Sequence, residues 1–295
     1  MVTVLGINYF EQLEEMVAIA RQVGWEAGEI LRSYYRGKAN EGDLEVQEKK
    51  DGPVTAADIA ANHYILEHLQ AAFSEEHFGY LSEETYKAGG SQPVAGDWVW
   101  IVDPLDGTRD FIEKTGEYAV HIALTYQKRP VLAVVAVPEQ EKVYFATQDG
   151  GSFVETKDGK VEQLRVSDRD RIEKLNLVAS RSHRDQRLNE MLARIPFNER
   201  NYVGSVGCKI STIVSQRCDV YISLSGKSAP KDWDFAAPEL ILTEAGGKFT
   251  NFEGEPILYN TGDVNQWGGL MASNGHCHQE LYSSATKILA EIDAE

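Results

Sequence analysis

The sequence lacks the features that mark several other classes of protein. No apolar run approaches the roughly 20 residues needed to span a bilayer, so an integral membrane protein is not expected. The cysteines at 208, 218 and 277 form no CxxC pair and are odd in number, which favours reduced thiols over a disulfide framework. The first residues show no basic stretch followed by an apolar core. We therefore predict no signal peptide and expect a cytoplasmic protein.

Basic residues are scarce relative to acidic ones. There are 29 Lys and Arg against 46 Asp and Glu, which gives a formal net charge of −17. A protein that binds a nucleic-acid polymer or a membrane surface needs a basic face, so neither partner is expected. A small phosphorylated molecule is compatible with this charge if divalent cations lie between the carboxylates and the phosphate. The charge balance therefore favours metal dependence, although an acidic excess is also a common solubility feature.

Hydrophobic periodicity predicts an α/β protein, more closely an α+β lobe followed by an α/β lobe. In residues 1–160, helices are predicted over 8–35 and from about Thr55, with a polar loop from Gly37 to Gly52 between them. Strand-like runs then follow with short connections, which predicts an antiparallel meander; they cover 118–126, 131–137, 142–147 and 152–155. In residues 161–295 strands and helices alternate, so we expect a second lobe and a cleft between the two.

The most informative stretch is DPLDGT, residues 103–108, which directly follows the apolar run 98–102. It is interpreted as the end of a buried strand that delivers two carboxylates, a glycine and a hydroxyl into one turn, the place where α/β folds keep their chemistry. Carboxylate and carbonyl oxygens are ligands that Mg²⁺ prefers. The alternative is an ordinary turn whose carboxylates cap nearby backbone groups.

Three further acidic motifs have both a local and a functional interpretation. Thr55 and Asp58 fit a capping box, which also leaves a carboxylate at the start of a helix. Glu83 and its neighbour follow a short strand, where paired glutamates are usually solvated. Asp234 lies at a helix start, where capping is the default role. The occurrence of all these motifs in one order is more informative than any of them alone.

The ordered set T-x-x-D, S-E-E, D-P-x-D-G-T and W-D-x-A-A resembles the inositol monophosphatase superfamily over about residues 10 to 290. Within it, the segments SRSH (180–183) and GSVGCK (204–209) look like the 3′(2′),5′-bisphosphate nucleotidase branch. The resemblance implies a layered αβαβα sandwich of the inositol monophosphatase and fructose-1,6-bisphosphatase type. It also implies a Mg²⁺-dependent phosphomonoesterase with two to three ions per site, inhibition by Li⁺, and a monomer or homodimer.

The resemblance also implies a role for each matched position. The metal ligands would be Glu83, Asp103, the carbonyl of Leu105, Asp106 and Asp234, with Asp103 bridging two ions. The residues assigned to catalysis are Asp58, Glu83 and Thr108, of which Asp58 and Thr108 would orient the attacking water. The substrate would contact Gly107, Thr108, Ser180, Arg181, Ser182, His183, Ser205, Lys209 and Asp234.

The expected reaction is hydrolysis of the 3′-phosphate of adenosine 3′,5′-bisphosphate to AMP and phosphate, which would place the chain in sulfur metabolism. 3′-Phosphoadenylyl sulfate is a second candidate substrate. The alternatives are an inositol monophosphatase, a fructose-1,6-bisphosphatase and, more remotely, a non-catalytic metal-binding regulator. Two departures from the branch stand out: Arg109 and Asp110 replace a usual Lys-Glu pair, and Pro238 replaces a common glycine. A proline early in a helix is tolerated, so the Asp234 ligand is not in doubt.

Overall fold

The computed structural model describes residues 9–37, 46–49, 52–89, 94–182 and 184–295. The α-helices of these ranges are α1 (Leu13–Tyr35), α2 (Ala56–Ala72), α3 (Glu83–Gly89), α4 (Thr108–Ile112), α5 (Gln186–Arg194), α6 (Val206–Val214), α7 (Asp232–Glu244) and α8 (His278–Ile292). The strands are β1 (Val46–Lys49), β2 (Gly52–Thr55), β3 (Gly79–Ser82), β4 (Trp98–Asp106), β5 (Ala119–Tyr126), β6 (Arg129–Val137), β7 (Lys142–Thr147), β8 (Gly151–Thr156), β9 (Val161–Gln163), β10 (Asn176–Ser180), β11 (Glu199–Val203), β12 (Val220–Leu224), β13 (Lys248–Asn251) and β14 (Gly269–Ser273).

Two large sheets organise these elements. The first has the order β3-β4-β5-β6-β7-β8-β9; its β3–β4 pair is parallel and the remaining pairs are antiparallel. The second is a mixed sheet with the order β11-β10-β12-β14-β13, in which β10 runs parallel to both of its neighbours. Strands β1 and β2 pair separately as a hairpin. The meander predicted from the sequence is confirmed by the successive antiparallel pairs from β5 to β8.

Helices form layers on both sides of each sheet. The apolar faces of α1 and α2 pack on one face of the first sheet, where Ile65 and Trp100 are fully buried. Helices α6 and α7 lie between the two sheets, and Phe235 belongs to a core that both sheets share. Helices α5 and α8 cover the outer face of the second sheet around Met191 and Leu281. The predicted αβαβα sandwich is confirmed.

Several local predictions differ from the structure. The polar loop predicted over 37–52 is wrong in part, because Val46–Lys49 forms β1. The sequence did not predict strands β2, β9, β11 and β13 or the short helices α3 and α4. Pro238 lies inside α7, as its seventh residue, rather than in the first turn where its missing N–H would cost nothing. The buried faces of this helix on both sheets hold it in place despite the proline.

Other properties of the fold bear on the sequence predictions. All three cysteines are free and buried, in agreement with the expected reduced thiols. Across the described ranges, no helix is both long enough and apolar enough to cross a membrane. The lobe boundary near residue 160 stays a prediction, because α6 and α7 pack against both sheets and join them through one core.

Candidate metal centre and active site

The end of β4 places two carboxylates on a sharp turn. Asp103 and Asp106 are both buried, and the pairing of β4 with β5 shifts register between them. The amide of Leu105 donates to Asp103 Oδ1 at 3.0 Å. Gly107 then turns the chain into α4 with a φ of +91°, and a Cβ there would lie 2.9 Å from the carbonyl oxygen of Glu117. Only glycine fits this turn without strain. The two carboxylates lie close together because Asp103 and Asp106 are close in the motif itself.

Helix α7 brings a third carboxylate to the same place. Asp234 is the third residue of α7, and its Oδ2 accepts a hydrogen bond from the amide of Lys231 at 2.6 Å, which confirms the capping interpretation. One oxygen each from Asp103, Asp106 and Asp234 can be chosen so that all lie within 4.8 Å of one another. A hydrogen bond also joins the side chains of Glu83, at the start of α3, and Asp103. The structure therefore brings together all four predicted carboxylate ligands.

Their proximity perturbs their proton affinities. Burial, together with the charges of Glu83, Asp106 and Asp234, raises the pKa of Asp103 well above its ordinary value. Burial and the charge of Asp106 raise the pKa of Asp234 to about 7. Clustered carboxylates of this kind repel one another when ionised, and a divalent cation removes the repulsion. The all-oxygen donor set fits a hard cation such as Mg²⁺ or Mn²⁺, so the residues present suit the metal that the resemblance implies.

Asp106 behaves differently from its neighbours. Burial alone would raise the pKa of its carboxyl group, but His121, Lys209 and Ser205 together lower it to about 2. Ser205 caps α6 and donates its hydroxyl to Asp106 Oδ2, the amide of Gly207 donates to the same oxygen at 3.0 Å, and His121 Nε2 lies 3.2 Å from it. Asp106 is thus the carboxylate of this cluster that its surroundings hold in the ionised form.

His121 is the residue of this site that sequence reasoning missed. Its one signal is a lone imidazole within the apolar strand AVHIALTY, residues 119–126. The structure shows it fully buried and in register with Asp103 on the neighbouring strand. That position could not be deduced without the register of β4 and β5.

Asp58 serves a helix cap and the site at once. Its Oδ2 accepts from the amide of Thr55 at 2.8 Å, as predicted for a capping box. Its Oδ1 lies 3.3 Å from the hydroxyl of Thr108, which is also 3.2 Å from the carbonyl oxygen of Leu105. Burial raises the pKa of Asp58 to about 7, although the hydrogen bonds from Thr55 act to lower it. The carboxyl group can therefore hold or release a proton near neutral pH.

The predicted substrate residues fall into two groups. Ser205 and Lys209 adjoin the carboxylates: Lys209 is buried in α6 with its ammonium 5.3 Å from the ring centre of Tyr221. Burial lowers the pKa of Lys209, while Asp106, Asp110 and Asp234 act to raise it. Gly107 also reaches this group, since a Cβ there would lie 3.2 Å from the Cβ of Ser205. A buried cation thus faces the acidic cluster.

The second group begins at the last residue of β10. Ser180 is buried, Ser182 is exposed and His183 lies outside the described residues. The guanidinium of Arg181 forms ion pairs with Glu117 at 2.5 Å and Asp110 at 3.5 Å. Glu117 also accepts from the amide of Gly204 at 2.7 Å, so Arg181 is tied to the turn that precedes Ser205.

One known protein family matches nearly the whole of this chain. The model of the inositol monophosphatase family matches residues 12–290, nearly the whole chain. The chain therefore belongs to the inositol monophosphatase family, and the predicted membership of this family of phosphatases is confirmed.

Individual proteins resemble this chain in sequence or in structure. The chain is 34% identical over 250 residues to the 3′(2′),5′-bisphosphate nucleotidase CysQ of Salmonella typhimurium, covering 84% of this chain and 93% of that protein. A crystal structure of CysQ from Bacteroides thetaiotaomicron aligns with a TM-score of 0.69 at 28% identity, over 88% of this chain and 97% of that one. The IMPase of Thermotoga maritima aligns with a TM-score of 0.77 at 21% identity, over 94% and 99% of the two chains, and supports the fold alone.

Proposed function

We propose that this protein is a Mg²⁺-dependent phosphomonoesterase that hydrolyses the 3′-phosphate of adenosine 3′,5′-bisphosphate to AMP and phosphate. The observation that carries the proposal is the meeting of Asp103, Asp106 and Asp234, with oxygens within 4.8 Å, beside the buried cation of Lys209. The similarity to CysQ nucleotidases supports the choice of a bisphosphate nucleotide. 3′-Phosphoadenylyl sulfate, which carries the same 3′-phosphate, is proposed as a second substrate.

Mg²⁺ would be held by five groups that the chain brings to the end of β4: the carboxylates of Glu83, Asp103, Asp106 and Asp234, and the carbonyl of Leu105. When bound, such ions neutralise the phosphate oxygens and lower the pKa of a coordinated water so that hydroxide is available near neutral pH. The short loop from Asp103 to Asp106 fixes two of these ligands by covalent spacing, and α7 supplies the last.

The chain's own contribution to the reaction is orientation and proton handling. In this proposal Thr108 and Asp58 hold the attacking water, since their oxygens already lie 3.3 Å apart. The amides of Gly107 and Thr108 would contact the phosphate at the turn. Phosphoryl transfer of this kind depends mainly on positioning and neutralisation of charge, and the tight turn at Gly107 would supply the positioning.

The second phosphate and the ribose require groups outside the metal centre. We propose that they are bound by Lys209 and Ser205 near the carboxylates and by residues 180–183 at the end of β10, so that the lobe after residue 160 sets specificity. Arg181 is paired with Glu117 in the structure. A phosphate that binds Arg181 would have to compete with this carboxylate, which predicts a weaker contribution from Arg181 than from Lys209.

The proposal is tested by phosphate release in Mg²⁺ with adenosine 3′,5′-bisphosphate, inositol 1-phosphate and fructose 1,6-bisphosphate. We expect kcat/KM to favour the nucleotide by about a hundredfold or more, equivalent to about 2.7 kcal/mol of transition-state discrimination. A preference for the inositol or sugar phosphate would leave the metal centre as proposed and overturn the substrate. Absence of turnover with all three would favour a non-catalytic metal-binding protein.

A further inference from the structure

His121 is a buried imidazole to which the proposed reaction assigns no role. Its Nε2 lies 3.2 Å from Oδ2 of Asp106, and its Nδ1 donates to the carbonyl oxygen of Trp233 at 3.2 Å. Trp233 directly precedes Asp234 in the first turn of α7. One ring therefore contacts a carboxylate ligand and the backbone next to a second ligand, although the two ligands belong to different elements.

The surrounding backbone leaves room for this ring. A Cβ added to Gly207 would fall 2.5 Å from His121 Nε2, so glycine is required in the first turn of α6 for the imidazole to reach Asp106. Burial of an imidazole is costly unless its nitrogens meet polar partners. Nδ1 of His121 meets the Trp233 carbonyl, whereas Nε2 lies 3.2 Å from the Asp106 carboxylate without forming a hydrogen bond, so that contact is electrostatic. A side chain that merely filled this core position would need neither contact.

The contacts of Asp106 suggest what the ring does. His121, Ser205 and Gly207 all approach the same atom, Oδ2. The other oxygen of the carboxylate can then serve a cation. Groups that hold a ligand in this way fix its orientation, and their loss typically costs about 10–100-fold in metal affinity.

We infer that His121 is a positioning residue that fixes Asp106 relative to the start of α7, and thereby sets the affinity of an ion that Asp106 and Asp234 would hold together. The inference rests on the proposed metal-dependent function. His121 itself contacts neither the ion nor the substrate in this assignment. It acts through Asp106 and through the backbone at Trp233.

The test compares three substitutions by calorimetric titration of Mn²⁺ into chelator-treated protein. An Asp234→Asn reference identifies the ion whose binding depends on Asp234. In His121→Ala that ion should bind about 10–100-fold more weakly, while the other ion keeps its affinity. His121→Gln places an amide nitrogen near the position of Nε2, keeps the contact to Asp106 without the one to Trp233, and should restore part of the affinity. His121→Asn places its amide near Nδ1, retains only the contact to Trp233, and should restore little.

Thermal unfolding of the same variants in EDTA separates positioning from folding. Wild-type affinities in His121→Ala, or losses that affect all ions equally and follow the melting temperature, would overturn the inference. Should the alanine variant fail to fold, equal Mn²⁺ affinities in the Gln and Asn variants would overturn it. A wild-type protein that binds no Mn²⁺ would instead overturn the proposed function itself.

Discussion

The hydroxyl of Thr108 lies 3.3 Å from Oδ1 of Asp58, although 50 residues separate them in the chain. The pair joins the turn after β4 to the first turn of α2. The other oxygen of Asp58 is bound to the amide of Thr55, so the carboxylate is fixed by the helix that it caps. A helix cap thereby orients a side chain of the candidate active site.

Replacement of Thr108 by valine tests this pair. Valine keeps the shape of the side chain and removes the hydroxyl, so we expect kcat to fall by about 10²–10⁴-fold with little change in KM. Thr108→Ser keeps the hydroxyl and should retain most of the activity. Steady-state kinetics with the bisphosphate nucleotide measure both values. Similar losses in the two variants would contradict a role for the hydroxyl.

Replacement of Asp103 by asparagine should separate activity from stability. The proposed bridging ligand is lost, so kcat should fall at least about a thousandfold, equivalent to about 4 kcal/mol. Burial and three neighbouring carboxylates raise the pKa of Asp103, so removal of its charge relieves repulsion. The melting temperature in EDTA should therefore stay the same or rise. The exposed Asp97→Asn is the matched control, and near-wild-type turnover of Asp103→Asn would rule out the bridging role.

Lys209 should contribute more to the binding of a bisphosphate nucleotide than to the binding of a monophosphate. Lys209→Ala removes the buried cation beside the carboxylates, so KM for adenosine 3′,5′-bisphosphate should rise more than KM for a nucleoside monophosphate. The exposed Lys227→Ala changes net charge equally and serves as the control. If both substrates respond equally to Lys209→Ala, this lysine does not bind the second phosphate.

His278, which lies away from the candidate metal centre, should make the free energy of unfolding depend on pH. The ring lies between the hydroxyls of Ser273 and Thr250, at 2.7 and 2.8 Å. Burial, with a smaller effect of Lys248, lowers the pKa of His278 from 6.5 to about 4. Between these values the unfolded chain binds a proton that the folded chain does not, so the free energy of unfolding falls as pH falls, by up to about 1.4 kcal/mol per pH unit.

Urea unfolding of the wild type and His278→Gln in EDTA measures this effect. The difference in stability between the two proteins should shrink from pH 6.5 towards pH 4. Titration of the carboxylates at the proposed metal centre is common to both proteins and cancels in the difference. A difference that stays constant over this range would show that His278 does not titrate as described.

The acidic motifs allowed most of the candidate site to be predicted. Asp103 and Asp106 are close in sequence and follow an apolar strand, so their proximity required only local geometry. Asp58 and Asp234 each begin a helix, and their capping roles, now observed, place a carboxylate at a helix start. The resemblance to a family then indicated that these local features meet in space.

What could not be predicted depends on long-range packing. Strand β11 carries polar and charged residues with little alternation, because it lies at the edge of its sheet. Arg181 follows β10 of the second sheet, and Glu117 lies between β4 and β5 of the first. Their ion pair could not be predicted from the sequence of either segment. The contact of His121 with Asp106 required the strand register and the place of Gly207. Each of these is fixed by tertiary structure, which overrides local sequence preference.

The order of the proposed ligands along the chain has a consequence for biosynthesis. Glu83, Asp103 and Asp106 are made early, but Asp234 belongs to a helix that packs between both sheets and comes late in the sequence. During translation the early carboxylates are therefore present before Asp234 and the buried Lys209 can join them. Contacts of large sequence separation form slowly, so the ability to retain a divalent ion would report completed folding of the whole chain. Metal retention would then be a practical assay for truncated or stalled products.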